Sequence, residues 1–394
     1  MIYHITQALH ALALTDPEGW KFLISMGNLF SYITVRAVAA ILTSFVVTMI
    51  MGKRIIHWLH AHNMRDQIKD FGTISVTDKR GTPTMGGLLI ILATVIPVLL
   101  WCDLSSRFVQ IILAATIWFG ALGAIDDYLK VNHWRGRDGL SQWQKLFLQA
   151  LFGMAVGIVY LHPGLSPVNQ SIASNFYVPF YKYPLLTAMG WWYLPFIVFV
   201  VTAISNAVNL TDGMDGLAIM PAALAVLVYG IFAYLMSHAL YSGYLQYTYP
   251  TPPMGGGIAT SEAVPLTGAG ELTVFCAALF GAGVGFLWYN AYPAEIIMGD
   301  TGSMALGGIL ACLAVMLKQE VLFLVVGGVF VAETLSSFIQ QKVGENFLGR
   351  RIFYRAPLHH QMEYRGLAET KVVIRFWIIS GLLALIALAS LKIR

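Results

Sequence analysis

The sequence predicts an all-α polytopic membrane protein, and three observations carry that prediction. Of 394 residues, 57% are hydrophobic and only 11% are charged, where soluble domains usually have about 25% charged. The apolar residues gather in runs that suit a bilayer core, which takes about 20 residues of helix. The basic residues collect in alternate loops between those runs, the pattern that orients membrane proteins.

Ten runs qualify as spans: 31–51, 85–101, 108–126, 146–161, 191–206, 217–236, 271–290, 303–317, 321–340 and 372–391. They predict about ten transmembrane helices in a single domain over residues 1–394, with no internal repeat. The 52–84 loop carries Lys53, Arg54, Arg65, Lys69, Lys79 and Arg80. The 127–145 loop carries Lys130, Arg135, Arg137 and Lys145, and the 341–371 loop carries Lys342, Arg350, Arg351, Arg355, Arg365 and Lys371. With ten spans these loops share one face, which the positive-inside rule makes cytoplasmic. Both termini are then extracytoplasmic. The 237–270 loop has no Lys or Arg and is rich in Tyr, Pro, Thr and Gly, which predicts an ordered or hairpin-like extracytoplasmic loop. The first Lys is Lys21, so no basic stretch precedes a short apolar core. The first span is therefore expected to act as an uncleaved signal anchor. Cys102, Cys276 and Cys312 form no CxxC and no Cys/His cluster, and read as packing residues. The net charge of +4 points to topology and to anionic head groups or phosphates, with no nucleic acid partner.

Four polar motifs fall on the predicted cytoplasmic face: "GAIDDYLK", "NAVNLTDGMDGLA", "IIMGDTGS" and "APLHHQMEYRG". Asp126 and Asp127 end the third span; they are either a solvated helix end or a pair that needs a nearby cation. Lys130, one turn on, can be a helix partner or reach a phosphate. Asp212 and Asp215 stand at i, i+3 and would share a face on a helical turn, with Gly213 and Gly216 allowing close approach. Asp212 or Thr211 can instead cap the sixth span. That alternative explains one polar residue, but not Asn206, Asn209, Thr211, Asp212 and Asp215 together. Asp300 is either a helix cap or a ligand, with Asn290 adding an amide nearby. His359 and His360 lie beside Arg355, and phosphate contact suits them better than zinc, since no HExxH or CxxC spacing exists. "KRGTPTMGG", Lys79 to Gly87, opens the second span and is no Walker A motif. Lys79 and Arg80 can mark a helix start or grip an anion. The chemistry that joins these parts is magnesium-assisted phosphoryl transfer to a membrane lipid. Hard carboxylates suit Mg²⁺, and Lys and His neutralise a pyrophosphate.

The motifs "RGTPTMGG", "IDDYLK", "NAVNLTDGMDGLA", "FLWYNAYPAEIIMGDTGS", "APLHHQMEYRG" and "VVIRFWIIS" resemble, in order and from about Ser31 onward, the phospho-N-acetylmuramoyl-pentapeptide transferases of bacteria. The resemblance implies ten spans, both termini extracytoplasmic, a homodimer in the bacterial inner membrane and dependence on Mg²⁺. It implies transfer of phospho-MurNAc-pentapeptide from UDP-MurNAc-pentapeptide to undecaprenyl phosphate, giving lipid I and UMP. It makes Asp126, Asp127 and Asp300 the catalytic carboxylates, with Asp300 the metal ligand. It puts Lys79, Asn209, Asp212, Gly213, Met214 and Asp215 around the nucleotide, and Thr84, Lys130, Asn290, His359 and His360 at further substrate contacts. Ile297 and Gln361 depart from the family, which usually has Phe beside the uracil ring and a third His. Two other readings are open: a sister enzyme that transfers GlcNAc-1-phosphate to a polyprenyl phosphate, and a secondary transporter with polar residues at broken helices near the midplane.

Overall fold

The computed structural model describes residues 1–13, 21–65, 81–132, 139–181, 183–238, 240–241, 266 and 268–392. The chain is α-helical, and among the described residues β structure is limited to the isolated bridges Arg65–Pro83 and Phe176–Leu186. Two short helices, α1 (Ile2–Ala13) and α2 (Lys21–Ser31), precede the first predicted span. The spans follow as α3 (Ile33–Ala61), α4 (Gly87–Trp101), α5 (Arg107–Val131), α6 (Gln142–Leu161), α7 (Tyr193–Thr211), α8 (Ile219–Ser237), α9 (Gly270–Asn290) and α10 (Gly299–Met316). A single turn, Phe323–Val326, leads into α11 (Gly328–Phe338); α12 (Leu358–Tyr364) and α13 (Glu369–Ala389) complete the chain. Among the described residues, eight helices are long and apolar enough to cross a bilayer, and Gly87–Trp101 is a shorter apolar one.

The predicted ninth span, 321–340, is broken at Gly327. Two successive glycines, Gly327 and Gly328, supply no side chains to hold a helix and carry its poorest non-proline propensity. Beyond α11 the backbone widens into a π-helical stretch, Ile339–Phe347. The first span runs on to Ala61, ten residues past its predicted end, and Lys53 and Arg54 on that extension are exposed. The predicted hairpin-like loop lies almost wholly outside the described residues, as do Lys79 and Arg80.

Helix α10 is the axis of the bundle. Every residue from Thr301 to Met316 is buried, as expected of a helix that is apolar all round. Lipid offers no hydrophobic drive for helices to associate, so close approach over small residues does the packing. A Cβ at Gly307 would lie 2.6 Å from Ser205 Cα on α7, and one at Gly308 would lie 2.2 Å from the Phe119 ring on α5. A smaller apolar cluster joins Met214 and Leu217 to Val329 of α11 and to Val372, Val373 and Phe376 of α13.

The helices alternate in direction, so one end of the bundle collects the C-termini of α5, α7 and α9 and the N-termini of α4, α8, α10 and α13. That end carries all four polar motifs. The Met1 amine donates to the Leu100 carbonyl, at the far end of α4, at 3.3 Å. Helix α13 starts at the motif end, where the Glu369 side chain accepts from Asp215 N–H at 3.0 Å, and finishes away from it. Met1 and the end of α13 thus lie at the end opposite the motifs.

Candidate active site

The site is organised around the start of α10. Helix starts leave N–H groups unsatisfied, and α10 has no cap of its own. Asp127 supplies one from α5. Its Oδ1 accepts Asp300 N–H at 3.0 Å, and its Oδ2 accepts Thr301 N–H at 2.9 Å and the Thr301 hydroxyl at 2.6 Å. Negative charge at that end is also favoured by the helix dipole. The approach is close enough that a Cβ at Gly123 would lie 2.1 Å from the Asp300 carbonyl oxygen. Gly299 enters the helix at φ +71, and a Cβ there would meet Asp127 Oδ2 at 2.6 Å and Thr84 Oγ1 at 2.8 Å. The capping role open to Asp300 is therefore taken by Asp127, and the Asp300 carboxylate is left for other work.

Asp300 shares two lysines with Asp126. Lys130 Nζ lies 2.8 Å from Asp126 Oδ2 and 2.9 Å from Asp300 Oδ2. Lys145 Nζ lies 2.6 Å and 2.8 Å from the same two atoms. Asn209, near the end of α7, donates to Asp300 Oδ1 at 3.0 Å and to Ser303 Oγ at 2.9 Å. Leu140 N–H donates to Asp126 Oδ1 at 2.7 Å. Two carboxylates thus face two ammonium groups, while the third carboxylate is neutralised by a helix end. Lys130 is both the i+4 helix partner and the cross-helix one.

The turn after α7 is not helical. Asp212 is the C-cap of α7, Gly216 has φ +75, and α8 begins only at Ile219, behind Ala218 and without a side-chain cap. Neither Asp212 nor Thr211 caps α8. Asp215 is buried and accepts Ala294 N–H at 3.1 Å through Oδ2. Asn290 accepts Gly216 N–H at 3.0 Å and donates to Ile296 O at 2.8 Å. These side chains tie the turn to the 291–298 segment. That segment in turn holds the 83–87 stretch, since Ile297 N–H donates to Pro83 O and Gly86 N–H donates to Ile297 O, both at 2.9 Å. Met214 packs into the smaller apolar cluster. His359 is buried against exposed Gly213, where a Cβ would lie 2.4 Å from His359 Nε2. His360 is half-buried, its ring centroid 4.2 Å from that of His359. Burial, with the neighbouring His359 ring, lowers its proton affinity below the usual histidine range. Gln361 is buried and accepts Arg355 N–H at 2.8 Å, a loop-holding contact.

A divalent cation fits this donor set. Oxygen atoms of Asp126, Asp127 and Asp300 lie within 4.8 Å of one another. Since Asp127 is committed to the helix start, Asp300 and Asp126 are the residues that would hold the ion. One or two hard carboxylates plus substrate phosphates are what Mg²⁺ prefers.

The match with known proteins is of the same reach as the fold. The model for glycosyl transferase family 4 matches residues 109–318, just over half of the chain. The phospho-N-acetylmuramoyl-pentapeptide-transferase signature 1 matches residues 79–91. A phospho-N-acetylmuramoyl-pentapeptide-transferase of Citrifermentans bemidjiense is 45% identical over 396 residues, covering 100% of both chains. Its counterpart in Pelobacter propionicus is 45% identical over 374 residues, covering 94% of this chain and 97% of the relative. The one in Nitratidesulfovibrio vulgaris is 46% identical over 371 residues, with the same coverage. The chain belongs to the phospho-N-acetylmuramoyl-pentapeptide-transferase family.

The transferase brings Asp126, Asp127, Asp300, Lys130, Asn209 and Thr84 into one cluster. Asp212, Gly213, Met214, Asp215, Asn290 and Ile297 form the adjoining turn and segment, and His359 with His360 closes against it. Lys79 lies outside the described residues. Two residues escaped the sequence reading as site residues. Lys145 entered it only as a loop charge. It lies in the first turns of α6, behind the Ser141–Gln144 capping box, where a cation opposes the helix dipole. That misplaced charge was the available signal. Glu333 was the other, a carboxylate inside an apolar run, which membrane helices rarely carry without a use.

Proposed function

We propose that this transferase moves phospho-MurNAc-pentapeptide from UDP-MurNAc-pentapeptide to undecaprenyl phosphate, releasing UMP and forming lipid I. The motif end would face the cytoplasm of a bacterial cell, with the chain as a multi-pass protein and a homodimer of the inner membrane. The observation that carries this reading is the Asp126–Lys130–Lys145–Asp300 cluster at the mouth of the bundle, in a chain collinear with relatives of that name. Asp300, with Asp126 beside it, would hold Mg²⁺, and a metal there supplies charge neutralisation to the pyrophosphate. Lys130 and Lys145 bind and orient phosphate oxygens. Asp127 acts by holding the start of α10, and so the position of Asp300. The Asn209–Asp215 turn and the 290–297 segment, with Ile297, would frame the nucleotide, and Lys79 and the two histidines would add phosphate contacts. Undecaprenyl phosphate reaches this end from the lipid, because the carboxylates sit where the helices stop. A transporter would instead place its polar breaks near the midplane.

Purified protein in detergent, given Mg²⁺ and undecaprenyl phosphate, should release UMP from UDP-MurNAc-pentapeptide and not from UDP-GlcNAc. Chelation should stop the reaction. Turnover with UDP-GlcNAc alone would move the protein to the sister activity.

A further inference from the structure

Glu333 lies midway along α11 and is fully buried. Both of its oxygens serve one residue. Oε1 accepts the His359 backbone N–H at 3.1 Å, and Oε2 meets His359 Nδ1 at 2.9 Å. A carboxylate acceptor requires the proton on Nδ1, so the contact selects the tautomer as well as the ring plane. Carboxylates that orient a working imidazole through its second nitrogen do so in this way.

The other ring nitrogen is the informative one. His359 Nε2 is buried and has no hydrogen-bond partner among the described residues. Buried polar atoms are almost always satisfied. Nε2 points at Gly213, in the turn that also carries Asp212 and Asp215 and that follows Asn209, the donor to Asp300. Only a residue without a side chain fits opposite it: a Cβ at position 213 would stand 2.4 Å from Nε2. The ring is thus held from behind, and its free nitrogen is aimed at the edge of the site.

We infer that Glu333 is a positioning residue, which fixes His359 so that Nε2 meets an anionic oxygen of the UDP-linked donor at the Asn209–Asp215 turn. The inference rests on the transfer reading above. When such an oxygen occupies Nε2, the ring donates from both nitrogens, one N–H to the donor and one to Glu333. Without Glu333 the ring can turn, and its doubly protonated form loses the carboxylate that accepts the second N–H. Glu333 touches no reacting atom in this scheme; its effect passes through His359.

The test compares wild type, Glu333→Gln, His359→Ala and the double variant. Donor affinity is measured by calorimetry with UDP-MurNAc-pentapeptide, and turnover by UMP release. Glu333→Gln keeps the shape of the side chain but offers an amide N–H to one of its two donors. It should keep the wild-type melting temperature and weaken kcat/KM for the donor on the order of 10- to 100-fold. The loss should fall on the donor KM and not on the KM for undecaprenyl phosphate. In the His359→Ala background the same change should cost less than about threefold, since coupled residues are not additive. If Glu333→Gln fails to fold, Glu333→Asp, which keeps the charge, should fold and show the same donor-specific loss. Equal donor affinity in wild type and Glu333→Gln, or losses that simply add to those of His359→Ala, would overturn the role of Glu333. Absence of UMP release by a wild type that binds the donor would count against the transfer reading, while its affinity ratio to Glu333→Gln still decides the role of Glu333.

Discussion

The two ends of the bundle each hold buried carboxylates against cations, and they do it differently. At the far end Arg36 grips Glu271 through two parallel hydrogen bonds of 2.8 and 2.7 Å, and the side chains are 3% and 11% exposed. Trp101 O and Asp103 N–H complete that contact. At the motif end the cations are lysines. Each of two carboxylate oxygens is shared by both ammonium groups, and Lys130 is 40% exposed while Asp300 is 16% exposed. A guanidinium fork fixes one geometry, whereas an ammonium is a point charge on a flexible stem. The first pair is a fastener. The second can exchange partners when a phosphate or a metal arrives. Charge in a membrane protein is therefore assigned a job by the type of its cation and by its access to water, not by its burial alone.

The sharpest test of the comparison is which compartment each end faces. In a cysteine-free background, a membrane-impermeant maleimide applied to intact cells should label Ser105→Cys, before α5, and spare Asn132→Cys, after it. Labelling of position 132 alone would place the lysine cluster outside, away from a cytoplasmic nucleotide. Next comes the carboxylate left for a ligand. Asp300→Asn should lower UMP release by about 10²- to 10³-fold or more, with a monodisperse, folded protein in detergent; near-normal turnover would remove Asp300 from the site. Lys145→Met should cost about 10- to 100-fold in turnover with little change in melting temperature, because Lys130 still contacts both carboxylates. Unfolding by that variant would make the motif end a fastener too. On turnover the smallest effect belongs to Arg36→Met. It strands Glu271 and should cost about 3–5 kcal/mol of stability, read as a lower melting temperature. The kcat/KM of the protein that stays folded should match wild type, and a selective loss of kcat/KM would contradict a purely mechanical far end.

What the sequence disclosed follows from what periodicity and composition encode. Long apolar runs and basic loops were enough for the spans and for the shared face of the motifs. The break at Gly327 was readable in the Gly327–Gly328 pair, but a hydropathy window averages over it. The continuation of α3 to Ala61 was not, because a helix that leaves the bilayer keeps its hydrogen bonds while losing its apolar signature. Asp212 and Asp215 at i, i+3 suggested a helical face; the two glycines of that stretch instead make a turn, and Asp215 points inward. The division of labour between Asp126 and Asp127 is invisible in sequence, since it depends on which neighbouring helix end lies opposite each. Lys145 and Glu333 were each marked by a charge in the wrong place, a signal that identifies a useful residue without naming its partner.

Neighbouring residues on an α-helix point about 100° apart, so the adjacent aspartates of α5 face different clients. Asp127 looks along the start of α10, and Asp126 looks toward the lysines. Their order is then a matter of phase. Inserting or deleting one residue between Gly123 and Asp126 would rotate both carboxylates past their targets, although composition, charge and span length would scarcely change. The last turns of α5 behave as a dial with one working setting. Substitutions on the lipid-facing side of that helix leave the setting alone, whereas a change of length, however conservative in chemistry, does not.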